Sequence, residues 1–226
     1  MGDLAFNNQK YSGENAIKIT GDYKARMNAI IRMCGTGKKI LDIGCFTGYL
    51  MERLKEKNNE VYGVDISQKA VSNAKKKGLT VSQGDVEKGL KFKDNTFDVI
   101  VMGEIIEHVF DTDKVIREIR RMLKSEGSVV ITTPNIACLN RRLRLLLGEN
   151  PYIDIGVLND DNKTTASGHI RYFTFANLKI LLERNGFKVR EYTSDVFLLK
   201  SLRSYSLAKT FPTFGWSIIM RAKKLP

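Results

Sequence analysis

The chain predicts an α/β fold on a mostly parallel sheet, and three observations predict it. Short apolar runs of strand length alternate with stretches of helical period between residues 22 and 133. That alternation is the order that right-handed crossovers between parallel strands need. The first three apolar runs each carry an aspartate at or just past their carboxyl end, namely Asp42, Asp65 and Asp85. Ligands of open α/β sheets bind at that edge.

Tyr23, Met27, Ile30, Ile31 and Cys34 recur at helical spacing, so residues 22–34 read as an amphipathic helix ended by Gly35 and Gly37. Residues 39–43 form a short apolar strand and residues 44–48 a glycine-bearing turn. A helix over 50–57, a strand over 61–65, a helix over 68–77 capped by Ser67, and a strand over 79–82 follow. Asp94-Asn95 marks a turn before the strand 97–102. Val115, Ile116, Ile119, Met122 and Leu123 make a helical stripe, and Glu126-Gly127 turns into the strand 128–133.

The pattern then changes. Residues 135–147 read as a helix with Ile136, Leu139, Leu143, Leu146 and Leu147 on one face and Arg141, Arg142 and Arg144 on the other. That pattern suits a core-packed helix with a solvated arginine face, or a platform for an anionic acceptor or membrane surface. Residues 148–168 are polar and read as a long loop, a length that points to a lid. A helix over 175–184 and closing strands over 187–192 and 216–221 complete the chain, and residues 195–213 receive no assignment. The expected organisation is one domain over 1–226, with 135–173 as a helix and lid-like insertion that binds the acceptor.

Composition sets bounds. The longest apolar stretch, around residues 97–102, is far shorter than the roughly 20 residues of a membrane span. The polar start lacks the apolar segment of a signal peptide. Cys34, Cys45 and Cys138 form no CxxC pair, so the sequence points to a reducing, cytoplasmic setting without a thiolate metal site. Residues 1–113 carry 17 Lys+Arg against 16 Asp+Glu, a net of +1, and residues 114–226 carry 20 against 9, a net of +11. The excess suits a solvated basic surface, or attraction to nucleic acid, a phosphorylated metabolite or a membrane face.

The centre of the reading is Ile40-Leu41-Asp42-Ile43-Gly44-Cys45-Phe46-Thr47-Gly48, a buried strand running through a glycine turn into a helix. Glycine there lets backbone approach a ligand closely. An acidic residue at Asp65 can accept both hydroxyls of a ribose, and Asp85 can face an adenine amine. Neither G-x-G-x-x-G nor G-x-x-x-x-G-K-[ST] occurs, which argues against a dinucleotide dehydrogenase and a P-loop protein.

With Gly63-Val64-Asp65-Ile66-Ser67, Gly84-Asp85-Val86, Phe97-Asp98-Val99-Ile100 and Glu104-Ile105-Ile106-Glu107-His108, this turn resembles the class I S-adenosylmethionine-dependent methyltransferases. Within them it is similar to the broad group that contains the ubiquinone-biosynthesis O-methyltransferases. The resemblance covers roughly residues 38–190. It implies a three-layer, Rossmann-like sandwich with a seven-stranded sheet of order 3-2-1-4-5-7-6, strand 7 antiparallel. It implies S-adenosylmethionine as cofactor and S-adenosylhomocysteine as product. By position, Asp42 and Gly44 border the methionine portion, Asp65 the ribose, and Asp85 and Val86 the adenine. Cys45, Gly48, Ile66, Gly103 and Glu104 complete the expected cofactor contacts. One departure stands out: the family usually has a further glycine where this chain has Phe46, so the phenyl group must point away or tighten the pocket.

On the acceptor side, a base must remove a proton from a hydroxyl acceptor. Were a helix to start at Glu104, then Glu104, Glu107 and His108 would share one face, with Asp111 a turn later. His169, in Gly168-His169-Ile170-Arg171-Tyr172-Phe173-Thr174, follows the long loop and could be carried over the cofactor. His108, Glu107 and His169 are therefore the candidate catalytic residues. Glu104, Glu107, His108 and His169 are also candidate ligands of a divalent cation. This grouping resembles that of the 2′-O-methyltransferases of small-RNA 3′ ends, where the corresponding residues hold a metal. Tyr152, Tyr172 and Phe173 are the aromatics nearest the lid, and Tyr11 could close the site from the other side. Three functions stay open: O-methylation of a small or lipid-linked hydroxyl acceptor such as a sugar or quinone precursor, metal-assisted RNA 2′-O-methylation, and cofactor binding without turnover.

Overall fold

The structure, a computed structural model, describes residues 20–152 and 168–226. Its spine is a seven-stranded sheet of β1 (Lys39–Ile43), β2 (Glu60–Asp65), β3 (Thr80–Gln83), β4 (Phe97–Gly103), β5 (Leu123–Pro134), β6 (Phe187–Thr193) and β9 (Ser217–Lys224). The order is β3-β2-β1-β4-β5-β9-β6. The pairs β1–β2, β1–β4, β2–β3 and β4–β5 are parallel, whereas β9 runs antiparallel to both β5 and β6. The seventh strand of the sheet thus inserts antiparallel between the fifth and sixth, as expected.

Side-chain alternation along the strands divides the core into two layers. Ile40, Val61, Val99, Val101, Val130 and Ile219 face α1 (Gly21–Cys34), α2 (Tyr49–Lys55) and α3 (Gln68–Lys76). Leu41, Ile43, Ile100, Met102, Val129 and Ile131 face the opposite way, toward α4 (Thr112–Met122) and α6 (Phe175–Arg184). The result is the three-layer sandwich that the family resemblance implied. Its central strands β1, β4 and β5 are largely buried on both faces, which is why they read as continuous apolar runs rather than alternating ones.

Helix starts are set by short polar side chains. Thr20 Oγ1 accepts from Tyr23 N at 3.2 Å, Ser67 Oγ from Ala70 N at 3.3 Å, and Asp111 Oδ1 from Lys114 N at 2.9 Å. Each cap is worth about 1 kcal/mol. Asp111 is therefore the cap of α4 and not a member of the acidic and histidine group at Glu107.

Helix α5 (Leu139–Leu146) corrects the expected orientation. Arg141 is its buried residue, only 1% exposed, while Leu145, Leu146 and Leu147 are open to solvent. Arg141 Nη1 donates to the Asn135 carbonyl at 3.2 Å and its guanidinium lies 5.2 Å from the Trp216 ring centre. The helix sits outside the sheet stack and packs against β7 (Phe197–Leu199), so one stacked guanidinium fills its inner face and the leucines are left outside. Residues 195–213, unassigned from sequence, contain β7, its hairpin partner β8 (Leu202–Ser204) and the short helix α7 (Tyr205–Thr210). Most of the expected lid, and Tyr11, lie outside the described residues.

Candidate active site

A cavity of about 830 Å³ opens at the carboxyl edge of β1, β2 and β4, within the usual size range of small-molecule sites. Its wall begins with the turn after β1. Gly44 has φ +78°, and Gly44 N and Cys45 N both donate to the Val64 carbonyl, at 2.7 and 3.1 Å. Phe46 also has positive φ, +46°, which explains why glycine is usual at this position: the backbone is left-handed there. Its residue lines the cavity, so the departure tightens the pocket. Gly48 does not line the cavity. A Cβ there would fall 2.1 Å from Leu79 Cδ1, so its place is helix–strand packing.

Asp65 fastens this wall. Its Oδ2 accepts from Phe46 N at 2.9 Å and its Oδ1 from Ser67 N at 2.8 Å. Burial raises its pKa, and the backbone hydrogen bonds oppose the rise. A carboxylate has about four acceptor sites, so both oxygens can still accept from a ligand's hydroxyls. Asp42 is buried and its pKa is pushed up to about 7, by burial first and by the Asp65 charge second. A cationic ligand is the partner that such a group suits. Asp85 caps the 3-10 turn Val86–Lys88 through Glu87 N at 3.0 Å, and lines the cavity together with Ile66 and Val86.

The acceptor-side group does not form on a helix. Glu104 has φ +56° and only Ile106–His108 makes a 3-10 turn, so Glu104 leaves the shared face. Glu104 Oε1 accepts from Thr132 Oγ1 at 2.9 Å, and its Oε2 pairs with Arg26 Nη1 at 2.6 Å. It lines the cavity with Gly103, and stands apart from the grouping of Glu107, His108 and His169.

Glu107, His108 and His169 do come together. The Glu107 carbonyl accepts from Ile170 N and Arg171 N at 3.0 and 3.1 Å, which stitches the segment after the loop onto this turn. The rings of His108 and His169 are 4.9 Å apart, edge to face. His108 Nδ1 lies 2.9 Å from the Gly168 carbonyl. A carbonyl only accepts, so Nδ1 carries a proton, and in the neutral ring the lone pair is on Nε2. Glu107 is 1% exposed. Its Oε2 accepts from Thr133 Oγ1 at 3.0 Å, and its Oε1, 3.9 Å from His169 Nε2, has no hydrogen-bond partner. Burial, then the Glu104 charge, raises its pKa well above the carboxylate range. Donor atoms of Glu107, His108 and His169 lie within 4.8 Å of one another, a grouping that fits one divalent cation.

Two cavity features escaped the sequence reading. Arg26 lines the cavity from α1, and its Nε lies 3.5 Å from Asp195 Oδ2 in addition to its bond to Glu104. Asp195 is buried, with Oδ1 accepting from Val196 N at 2.8 Å and Ser217 N at 3.0 Å. The polar positions of a helix carry no periodic signal, and Asp195 fell in the unassigned stretch. Tyr23, read only as part of an apolar stripe, also lines the cavity.

These features fit the cofactor that the resemblance implies: a glycine turn, a carboxylate at the end of β2 and a buried aspartate suited to a cation. The sequence profile of a family described as "Methyltransferase domain" matches residues 35–186. The bovine mitochondrial ubiquinone biosynthesis O-methyltransferase is 29% identical over 164 residues, 69% of this chain and 42% of its own length. The Pseudomonas aeruginosa ubiquinone biosynthesis O-methyltransferase is 33% identical over 117 residues, 49% of this chain and 50% of its own. The chain thus spans about half the length of these relatives. A Thermotoga maritima structure described as a SAM-dependent methyltransferase, possible histamine N-methyltransferase, aligns with a TM-score of 0.65 at 22% identity, covering 89% of each chain. A Methanosarcina mazei SAM-dependent methyltransferase aligns with a TM-score of 0.65 at 21% identity, covering 87% of this chain and 96% of that one. Both show the shared fold. With its cofactor S-adenosylmethionine, the chain belongs to the methyltransferase-domain family.

Proposed function

We propose that the chain transfers the methyl group of S-adenosylmethionine to a hydroxyl of a small or lipid-linked acceptor, such as a sugar or quinone precursor. The observation that carries this reading is the His108 ring, a residue of the cavity wall: its Nδ1 faces the Gly168 carbonyl, so in the neutral ring Nε2 is the nitrogen that can take a proton. The names of the relatives, ubiquinone biosynthesis O-methyltransferases, support the acceptor class.

The cofactor supplies an electrophilic methyl on a sulfonium. Asp42, with Gly44 and Cys45, borders its methionine portion, Asp65 accepts from its ribose, and Asp85, Ile66 and Val86 flank its adenine. Gly103 and Glu104 close the side toward Arg26. His108 Nε2 takes the acceptor's hydroxyl proton as the oxygen forms its bond to the methyl carbon. Buried Glu107 and the His169 ring hold the imidazole in place. Residues 135–173 serve as the acceptor-side insertion of a single domain.

The test is turnover of methyl-labelled cofactor against a panel of phenols, catechols and sugars, with mass analysis of the methyl ether. His108→Ala should lower turnover about 100-fold or more, within the range for a lost general base, at unchanged cofactor affinity. Full activity would remove His108 from catalysis, and cofactor binding without turnover on any acceptor would favour a regulatory protein.

A second reading has its own observation, the grouping of Glu107, His108 and His169 donor atoms around a carboxylate oxygen without a donor. A divalent cation held there would acidify a bound hydroxyl and suit vicinal hydroxyls, those of RNA 3′ ends included. Calorimetric titration of Mn²⁺ into chain saturated with S-adenosylhomocysteine tests it. Stoichiometric binding lost in His169→Ala supports the metal; no binding leaves His108 as the sole base.

A further inference from the structure

We infer that Arg203 and Tyr205 are positioning residues for the cofactor: with Asp195 they clamp the first half of α1, which supplies part of the cavity wall. The helix is held unevenly. Met27, Ile30, Ile31, Met33 and Cys34 are buried and anchor its second half in the core. No residue of α1 before Met27 is buried. Yet Tyr23 and Arg26, both from that first half, line the cavity. The Tyr23 ring meets the Tyr49 ring at 5.5 Å, and the rest of this half is held by polar contacts. Helix ends open readily where little apolar surface is buried. Polar contacts therefore decide where this wall stands.

Those contacts converge on one excursion of the chain, from Asp195 through the hairpin β7–β8 to the first residue of α7. Asp22 and Arg26 are four residues apart and share a face of α1. Asp22 Oδ2 pairs with Arg203 Nη1 at 2.5 Å, and Asp22 Oδ1 accepts from the Tyr205 hydroxyl at 3.2 Å. Arg26 Nε faces Asp195 Oδ2 at 3.5 Å. The charges are crossed. The helix offers an anion and then a cation, and the excursion meets each with its opposite. Sliding α1 by one turn toward Asp195 would set Asp22 against that aspartate, so the pairing fixes the register of the helix. Backbone contact agrees: a Cβ on Gly21 would fall 2.5 Å from the Tyr205 hydroxyl oxygen, so the phenol tip rests on the start of α1. Ser204 Oγ accepts from Leu207 N at 3.1 Å and caps α7, which sets the place of Tyr205.

The clamp acts on the wall more than on the fold. Arg203 is half-exposed, and a pair open to water adds little to global stability. With that pair gone, the buried second half still holds α1 to the sheet. The first turns are free to open, and they carry Tyr23 and Arg26 away from the cavity. This consequence rests on the cofactor occupying the cavity, and on no particular acceptor.

Calorimetric titration of S-adenosylhomocysteine, paired with urea unfolding, tests it. Arg203→Glu should weaken binding about three- to fivefold, the reach of an exposed ion pair, at an unchanged urea midpoint. Tyr205→Phe, which removes one hydrogen bond, should weaken it about twofold. In the double reversal of Asp22→Arg with Arg203→Glu, opposite charges meet again. That variant should bind more tightly than the product of the two single effects predicts. Amides of residues 24–26 should exchange faster in Arg203→Glu, and those of 31–34 should not. Unchanged affinity in Arg203→Glu, or single effects that simply multiply, would overturn the clamp. So would an affinity loss matched by a lower midpoint, which is the mark of a purely structural pair. Asp65→Ala separates the clamp from the cavity assignment. Weaker binding there beside unchanged binding in Arg203→Glu overturns the clamp alone, and unchanged binding in both removes the cofactor from this cavity as well.

Discussion

Asp42 and Asp65 lie on the same cavity wall, and their roles separate by titration. Asp42 ionises near pH 7 rather than near 3.8 because burial and then the Asp65 charge disfavour its anion. A raised folded pKa stabilises the fold at low pH. The contribution is whole below the ordinary carboxylate range and is lost as pH rises through about 7. Cofactor binding has the opposite sign, since a sulfonium and an ammonium favour the carboxylate. Affinity for S-adenosylmethionine, measured by calorimetry, should therefore rise as pH climbs through about 7, and Asp42→Asn should flatten that rise. Tyr23, Cys34 and Cys45 also feel the Asp42 charge, but burial holds each thiol or phenol protonated across this window. A wild-type affinity independent of pH would detach Asp42 from the cationic portion. Asp65→Ala should weaken cofactor binding by about 1.5–3 kcal/mol, the worth of charged hydrogen bonds, and it also frees Phe46 N. Unchanged affinity would reject the ribose assignment.

Elements differ in how much local sequence dictates them. The turn from β1 to α2 was legible because its chemistry is local: a left-handed backbone asks for glycine at residue 44 whatever packs nearby. Gly44→Ala shows which force dominates. Its Cβ would fall 2.4 Å from Ile105 Cδ1, but that atom ends a flexible side chain and can rotate away. The φ of +78° cannot be relieved so easily, and costs an alanine about 1–2 kcal/mol. Denaturant titration should show a loss of that size, and Gly44→Ala with Ile105→Val should recover little of it. Full recovery would make the clash the cause. Residues 104–111 were less legible, because their spacing satisfied a helix that the left-handed Glu104 prevents. Helix α5 departs from its reading at Arg141, which turns inward while Arg142 stays exposed as expected, and for a related reason. Periodicity counts leucines as inward, and nothing in the sequence announces that the Trp216 ring and the Asn135 carbonyl accept a guanidinium instead.

At the scale of the molecule, the parallel strands followed from strand–helix alternation, and their order from the family resemblance. What stayed hidden were contacts between segments far apart in the chain. The main one joins α1, the end of β4 and the segment after β6 through Arg26, with Glu104 Oε2 at 2.6 Å and Asp195 Oδ2 at 3.5 Å. Three distant parts of the chain meet at one guanidinium, and no periodic pattern links them. Asp195→Asn tests whether this junction braces the cavity. Asparagine keeps an oxygen for Val196 N and Ser217 N, so the substitution removes mainly the charge facing Arg26. Removing one partner of a buried ion pair costs about 3–5 kcal/mol when the other is left alone. Arg26 keeps Glu104, and its 3.5 Å contact to Asp195 is an ion pair without a hydrogen bond, so the expected loss is smaller, about 1–2 kcal/mol. The urea midpoint should fall by that amount at unchanged slope. Affinity for S-adenosylhomocysteine should fall with it, because Arg26 lines the cavity. A lower midpoint with intact affinity would make Asp195 a brace of the fold alone, and an unchanged midpoint would show that Glu104 holds Arg26 without help.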